Sequence, residues 1–180
     1  MPAVQESPTK TWNVDKIHSS AAFEVRHAGV SIFRGTFGDI DATLSFAEDQ
    51  PQLTGSVRVA SVQVPDETLT GHLLSPDFFD AERHPEVRFV STGVRRGEDN
   101  SIAVEGDLTI KGRTKSVAAH GTLNHVEADL TGAGRYGLEL ETTIDRAGFG
   151  VDWNAELPGG GLVVENDVKL VVRLEFTPEA

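Results

Sequence analysis

Residues able to carry chemistry are few in this 180-residue chain, and their spacing is poor for it. There are six histidines (His18, His27, His72, His84, His120 and His125) and no cysteine. The lack of cysteine excludes disulfides, thiolate nucleophiles, Fe–S clusters and thiolate zinc sites. In "HVE", His125 and Glu127 share one strand face and form the best local pair for a metal. Zinc sites place ligands closely on one element. No third ligand stands near this pair, so no metal site is predicted. Asp15, His18 and Ser19 are the right types for a hydrolytic triad. An extended strand end would scatter them, and no G-x-S-x-G elbow is present. His18 and His27 read instead as bonding backbone at strand ends. "GAGRYG" (132–137) has dinucleotide-loop spacing, but that motif opens a helix, whereas "LELETTI" follows here and alternates as a strand. It reads as a hairpin turn. "LPGGGL" (157–162) has no lysine-serine pair after its glycines and reads as a mobile surface loop.

Composition narrows the classes further. The net charge of −12 opposes a phosphate backbone, so no nucleic acid is expected as partner, and it disfavours adhesion to an anionic membrane. No run of about 18 apolar residues exists, so no transmembrane helix or integral membrane contact is expected. Residues 1–10 read as a polar tail. They lack the basic start and apolar middle of a secretory signal, which points to the cytoplasm, or to the periplasm or exterior if a signal was removed.

The elements that must position the remaining residues are strands. Apolar residues recur with period two along almost the whole chain. Phe23, Val25 and His27 oppose Glu24 and Arg26. Ile40, Ala42, Leu44 and Phe46 form a second row, and Leu53, Gly55, Val57 and Val59 a third. Val87 and Phe89 begin a fourth, and Ile102, Val104, Gly106, Leu108 and Ile110 make a fifth. Leu123 marks a sixth, Leu138, Leu140, Thr142 and Ile144 a seventh, and Val168, Leu170, Val172 and Leu174 the last. With a first strand at Trp12 and Val14, eight or nine strands are predicted. One helical segment interrupts them between Pro65 and Pro85. It carries Leu69, Leu73 and Leu74 at helical spacing, with a second short helical turn after Pro76. Row lengths of about ten residues and glycines inside the rows favour a closed antiparallel barrel over a sandwich. Such a barrel of about eight strands is either filled by side chains or holds one small ligand. Composition alone favours the filled core.

Five segments, in order, resemble the YceI family of polyisoprenoid-binding proteins. "TWNVDKIHSSAAFEVRHAGVSIFRGTFGDIDATLSF" (11–46) supplies Trp12, Val14, Asp15, His18, Ser19, Phe23, Val25, His27, Gly35 and Phe37 of its opening pattern. "LLSPDFFDAERHPEVRF" (73–89), "GDLTIKGRTKSV" (106–117), "IDRAGFGVDW" (144–153) and "NDVKLVVRLEF" (166–176) resemble its later boxes. The resemblance implies one domain over 11–177: an all-β, lipocalin-like closed barrel around an elongated apolar tunnel, with a helical insertion at 66–84. It favours the tunnel over the filled core. The implied ligand is a polyisoprenoid, an isoprenoid quinone or a fatty-acid-like lipid, held by a carrier, store or sequestering protein with no required cofactor. Tunnel residues are then Phe23, Val25, Phe37, Phe46, Leu73, Leu74, Phe78, Phe79, Phe89, Leu108, Ile110, Leu138, Leu140, Phe149, Trp153, Leu170 and Val172. His27, Asp145 and Arg146 are the head-group candidates, with Arg146 equally able to buttress its own box. Leu73, Leu74, Phe78 and Phe79 would plug one end. A homodimer is a further expectation. The alternatives are an enzyme acting on a lipid and a sealed barrel working through its surface.

Overall fold

The computed structural model describes residues 10–180; the tail assigned to 1–10 lies outside the described residues except for Lys10. Eleven strand segments form eight antiparallel staves. Three staves are broken in two: β1 (Lys10–Val14) continues as β2 (Ser20–His27), β3 (Ser31–Phe37) as β4 (Ile40–Ala47), and β5 (Gln50–Arg58) as β6 (Val62–Gln63). The other five are β7 (Glu86–Arg96), β8 (Ser101–Ile110), β9 (Arg113–Val126), β10 (Arg135–Asp145) and β11 (Val164–Pro178). Each stave pairs with the next, and β11 pairs back onto both β2 and β1, which closes an eight-stranded barrel. The predicted rows point inward: in β8, Ile102, Val104, Gly106, Leu108 and Ile110 are all buried.

The three breaks fall side by side. A 3-10 turn at Lys16–His18 interrupts the first stave and another at Val59–Ser61 the third. Between them Gly38 N–H donates to Ser61 C=O (3.0 Å) and Arg58 N–H to Asp39 C=O (3.0 Å), so the corner keeps its backbone bonds satisfied. This corner divides the barrel. On one side Leu44, Val104, Leu123, Leu138 and Phe176 form a solid core, with Phe176 and Val104 at most 1% exposed. On the other, Phe23, Phe37, Phe78, Ile110, Ile144 and Phe149 line a hollow half.

Helix α1 (Glu67–Leu74) covers the hollow end. Asp66 caps it by accepting from Leu69 N–H (2.8 Å), and the helix stops before Pro76, which disfavours helical geometry in the residue preceding it. The second helical turn expected at 76–84 is instead a chain of turns. Asp80 takes a left-handed φ of 53°, which an α-helix cannot accommodate. No helix among the described residues is long and apolar enough to cross a membrane.

Candidate ligand cavity

Two apolar spaces lie end to end, the larger in the hollow half and the smaller reaching past the corner toward Leu53 and Leu174. The larger has a volume of about 440 Å³ and the smaller about 160 Å³. Phe37, Val87 and Leu170 border both and form the waist between them. Inward parity in β2 and β11 puts Phe23, Val25, Val168 and Leu170 on the wall of the larger space. The cap supplies Leu69, Leu73, Phe78 and Phe79, whose rings meet the barrel wall: Phe79 stands 5.8 Å from Phe37 and 6.4 Å from Phe23. His72, in the last turn of α1, lies edge-on to Phe78 (4.8 Å) and Trp153 (4.6 Å), latching the helix to the segment that follows β10.

The residues assigned to a tunnel therefore divide. Phe23, Val25, Phe37, Leu73, Phe78, Phe79, Ile110, Phe149, Trp153 and Leu170 line the larger cavity; Phe89, Leu108, Leu140 and Val172 line the smaller. Three lie elsewhere. Leu138 belongs to the solid core, and Phe46 packs at its edge against Tyr136 (5.1 Å). Leu74 supports the cap from behind without reaching the wall. Leu138 and Leu140 share one row and one parity, so periodicity could not separate them; the corner that ends the cavity lies in other strands. The wall residues Phe33, Val151 and Val163 escape the period-two rows, because two of them lie in irregular segments beside the mouth.

Of the head-group candidates, His27 stands exposed at the mouth. Asp145 turns away from the cavity and accepts from Ala147 N–H (3.0 Å), capping the 3-10 turn Arg146–Phe149. Arg146 is 5% exposed. Its Nε donates to Glu165 C=O (2.9 Å), its Nη1 to Val151 C=O (2.7 Å) and Trp153 C=O (3.0 Å), and its Nη2 to Val164 C=O (3.3 Å). Burial pushes its pKa below the usual guanidinium value, with Asp152 and Asp145 opposing. The guanidinium is thus a staple joining three segments of the mouth, although it also borders the cavity. Lys111 plays a similar part: its Nζ donates to Pro76 C=O (2.6 Å) and Gly150 C=O (3.1 Å), tying the cap to the barrel. Its sequence signal is only a Lys-Gly hairpin turn at positive φ.

The polar triplet behaves differently from its expectation. The 3-10 turn at 16–18 gathers Asp15, His18 and Ser19 instead of scattering them. His18 Nδ1 lies 2.7 Å from Asp15 Oδ2, so it bonds a carboxylate rather than backbone. Ser19 Oγ donates to Asp15 C=O (2.6 Å) and accepts from Glu175 N–H, which leaves it no part in a triad. Arg135 completes the cluster, bonding Asp15 (2.8 Å), Asp129 (2.6 Å) and Glu175 (3.1 Å). Asp15, His18 and Glu175 are the one group among the described residues with metal-ligand spacing, and the Arg135 guanidinium already supplies a cation to it. His125 stacks on Tyr136 (4.4 Å) and meets Trp12 edge-on, a packing role.

A closed antiparallel barrel, half solid and half hollow, with a helical cap over an apolar cavity, defines a lipocalin-like class of binding fold. The chain belongs to the YceI-like family, whose model matches residues 12–176. A UPF0312 protein of Staphylococcus epidermidis is 32% identical over 170 residues, covering 92% of this chain and 96% of that one. A UPF0312 protein of Pseudomonas savastanoi is 33% identical over 74% of this chain and 71% of its own. Burkholderia cenocepacia BcnA shares the fold, with a TM-score of 0.76 at 23% identity over 90% of this chain and 98% of its own. A Saccharophagus degradans domain described as polyisoprenoid-binding has a TM-score of 0.69 at 13% identity, over 93% and 98% of the two chains.

Proposed function

We propose that this protein binds one long apolar or amphiphilic chain, isoprenoid or fatty-acyl, in the two joined cavities, as a carrier or store and not as an enzyme. The observation that carries the reading is the contrast between the two halves of one barrel. At about 24 cal/mol per Å³, an unfilled apolar space the size of the larger cavity would forfeit on the order of 10 kcal/mol, before allowance for its open mouth. That rivals the whole stability of a domain. The solid half indicates that this sequence can pack a core where one is wanted.

Size supports a particular range. A methylene is close to a water molecule in volume, about 30 Å³, so the larger cavity takes on the order of fifteen carbons and the smaller about five more. Burial at roughly 0.8 kcal/mol per methylene gives on the order of 12 kcal/mol for fifteen. Association costs of about 4–15 kcal/mol offset much of it. At the low end of those costs the balance reaches micromolar binding without an ion pair. The polyisoprenoid-binding description of the Saccharophagus domain agrees with the isoprenoid choice. Mass spectrometry of a solvent extract of the purified protein tests the reading. A stoichiometric chain of about fifteen to twenty carbons is expected, and extracts free of any such chain, from protein that also fails to take one up, would contradict it.

A further inference from the structure

The rim of the larger cavity presents apolar side chains to solvent, and we propose that it docks on an anionic lipid bilayer, across which the bound chain enters and leaves. The proposal rests on the ligand reading above and assigns the surface through which that ligand passes. Two segments build the rim. One is the β2–β3 hairpin, whose tip turns through Ala28 and Gly29, both at positive φ. The other is the loop that precedes β11. They touch directly: Ala28 N–H donates to Val163 C=O (2.8 Å), and His27 pairs with Val164. Val30 is 80% exposed, Ile32 54% and Leu162 47%. Beside them the mouth has an opening, because β6 joins β3 only at Thr36 and Phe37 and leaves Ser31–Gly35 as a free edge.

Local charge sets the hairpin side of this rim apart from the rest of the molecule. Within a chain of net charge −12, residues 25–34 hold Arg26, His27 and Arg34 and no acid, and residues 157–164 hold no charge at all. The acids around the mouth lie off this basic hairpin: Glu24 pairs with Arg34, Glu156 bridges Leu162, Glu165 follows the loop, and Asp77 and Asp152 stand on the cap side. Ile17 and Leu130 are also exposed, but they sit beside Asp15, Asp129 and Glu175 in the acidic cluster around Arg135. An anionic surface is therefore attracted at one apolar site and repelled at the other. A second copy of the chain fits the rim less well. It would bring the same arginines, and three side chains fall far short of the roughly 800 Å² per partner of a stable protein interface. A few inserted apolar groups with adjacent basic residues suffice for reversible membrane binding.

Flotation of the full chain with vesicles tests the proposal. Vesicles of equal parts phosphatidylcholine and phosphatidylglycerol should carry the protein up, and phosphatidylcholine alone should not. Val30→Asp with Leu162→Asp should lower partitioning roughly tenfold or more, and Arg26→Gln should lower it roughly fivefold. Leu130→Asp should leave it unchanged. Farnesol binding in vesicle-free solution should be the same in the Val30/Leu162 variant as in the unaltered protein, because neither side chain lines the cavity, which shows that the variant is folded with its cavity intact. Equal flotation with both vesicle types, or an equal loss in the Leu130 variant, would overturn the docking. So would a rim variant that dissociates a dimer while still floating. Flotation as expected with no farnesol binding by any form would overturn the ligand reading and leave the docking standing.

Discussion

Arg146 and Arg135 are both arginines in multiple hydrogen bonds, yet their surroundings assign them different work. Arg146 spends four donors on the carbonyls of Val151, Trp153, Val164 and Glu165, in a buried setting. Arg146→Met leaves those acceptors unpaired and should cost roughly 2–4 kcal/mol in chemical denaturation. Arg146→Lys keeps the charge but not the planar fork, so it should recover only part of that loss. Arg135 instead joins carboxylates at the surface, and its signature is a pH profile. The Asp15 carboxyl is held well below the usual range, first by His18 and then by Arg135, and Asp129 by Thr131 and then Arg135. Their folded pKa values are depressed, so the stability they contribute is present above about the ordinary 3.8 and is lost as pH falls below it. His18 is raised above its ordinary 6.5, first by the Asp15 bond. Its contribution is full below 6.5 and is lost as pH rises through the raised value. Melting temperature should therefore decline on both sides of this window. His18→Gln should flatten the upper limb and weaken the acidic limb in part, because His18 is the first cause of the Asp15 depression, and Asp15→Asn should flatten both. An unchanged upper limb in His18→Gln would place that titration elsewhere.

At the scale of elements, glycine placement couples strand geometry to the cavity. Gly35 lies opposite Phe23 in the β2–β3 ladder, and a methyl group there would overlap the Phe23 ring. Gly106 holds the Phe89 ring in the same way. Both rings cross a neighbouring strand because the glycine leaves room, and both then form cavity wall. Gly35→Ala should push Phe23 into the larger cavity. The expected result is a loss of about 1–3 kcal/mol in stability together with weaker prenyl-chain binding, read by calorimetry on the same sample. Stability loss with unchanged affinity would mean that Phe23 moves outward instead. The strand rows were legible from sequence because period two survives wherever one face is buried. Two of the three breaks were not, since "VDKIHSS" and "RVASV" carry no glycine or proline to mark them, whereas the third has Gly38. The hollow half was equally hidden, since Leu138 and Leu140 have the same residue type and parity but different fates. The Asp15–Arg135 bond was illegible because it joins residues far apart in the chain, across strands whose register depends on the whole closed sheet.

For the whole molecule, the central claim is that one half of the barrel is built as space for a chain and the other half as solid core. Leu170 is the residue on which that claim turns. It sits at the waist, borders both cavities, and is only partly buried. Leu170→Trp places an added ring in that space. In a filled core the ring would overpack, at a cost of typically 1–3 kcal/mol; in a cavity it has room. The decisive measurement is binding of a prenyl-chain series to Leu170→Trp and to the unaltered protein, with melting temperature recorded for each. A melting temperature close to that of the unaltered protein, retained binding of short chains and sharply reduced binding of chains long enough to pass the waist are the predicted result. A strongly lowered melting temperature, with the surviving folded protein binding every chain length as before, would contradict the account.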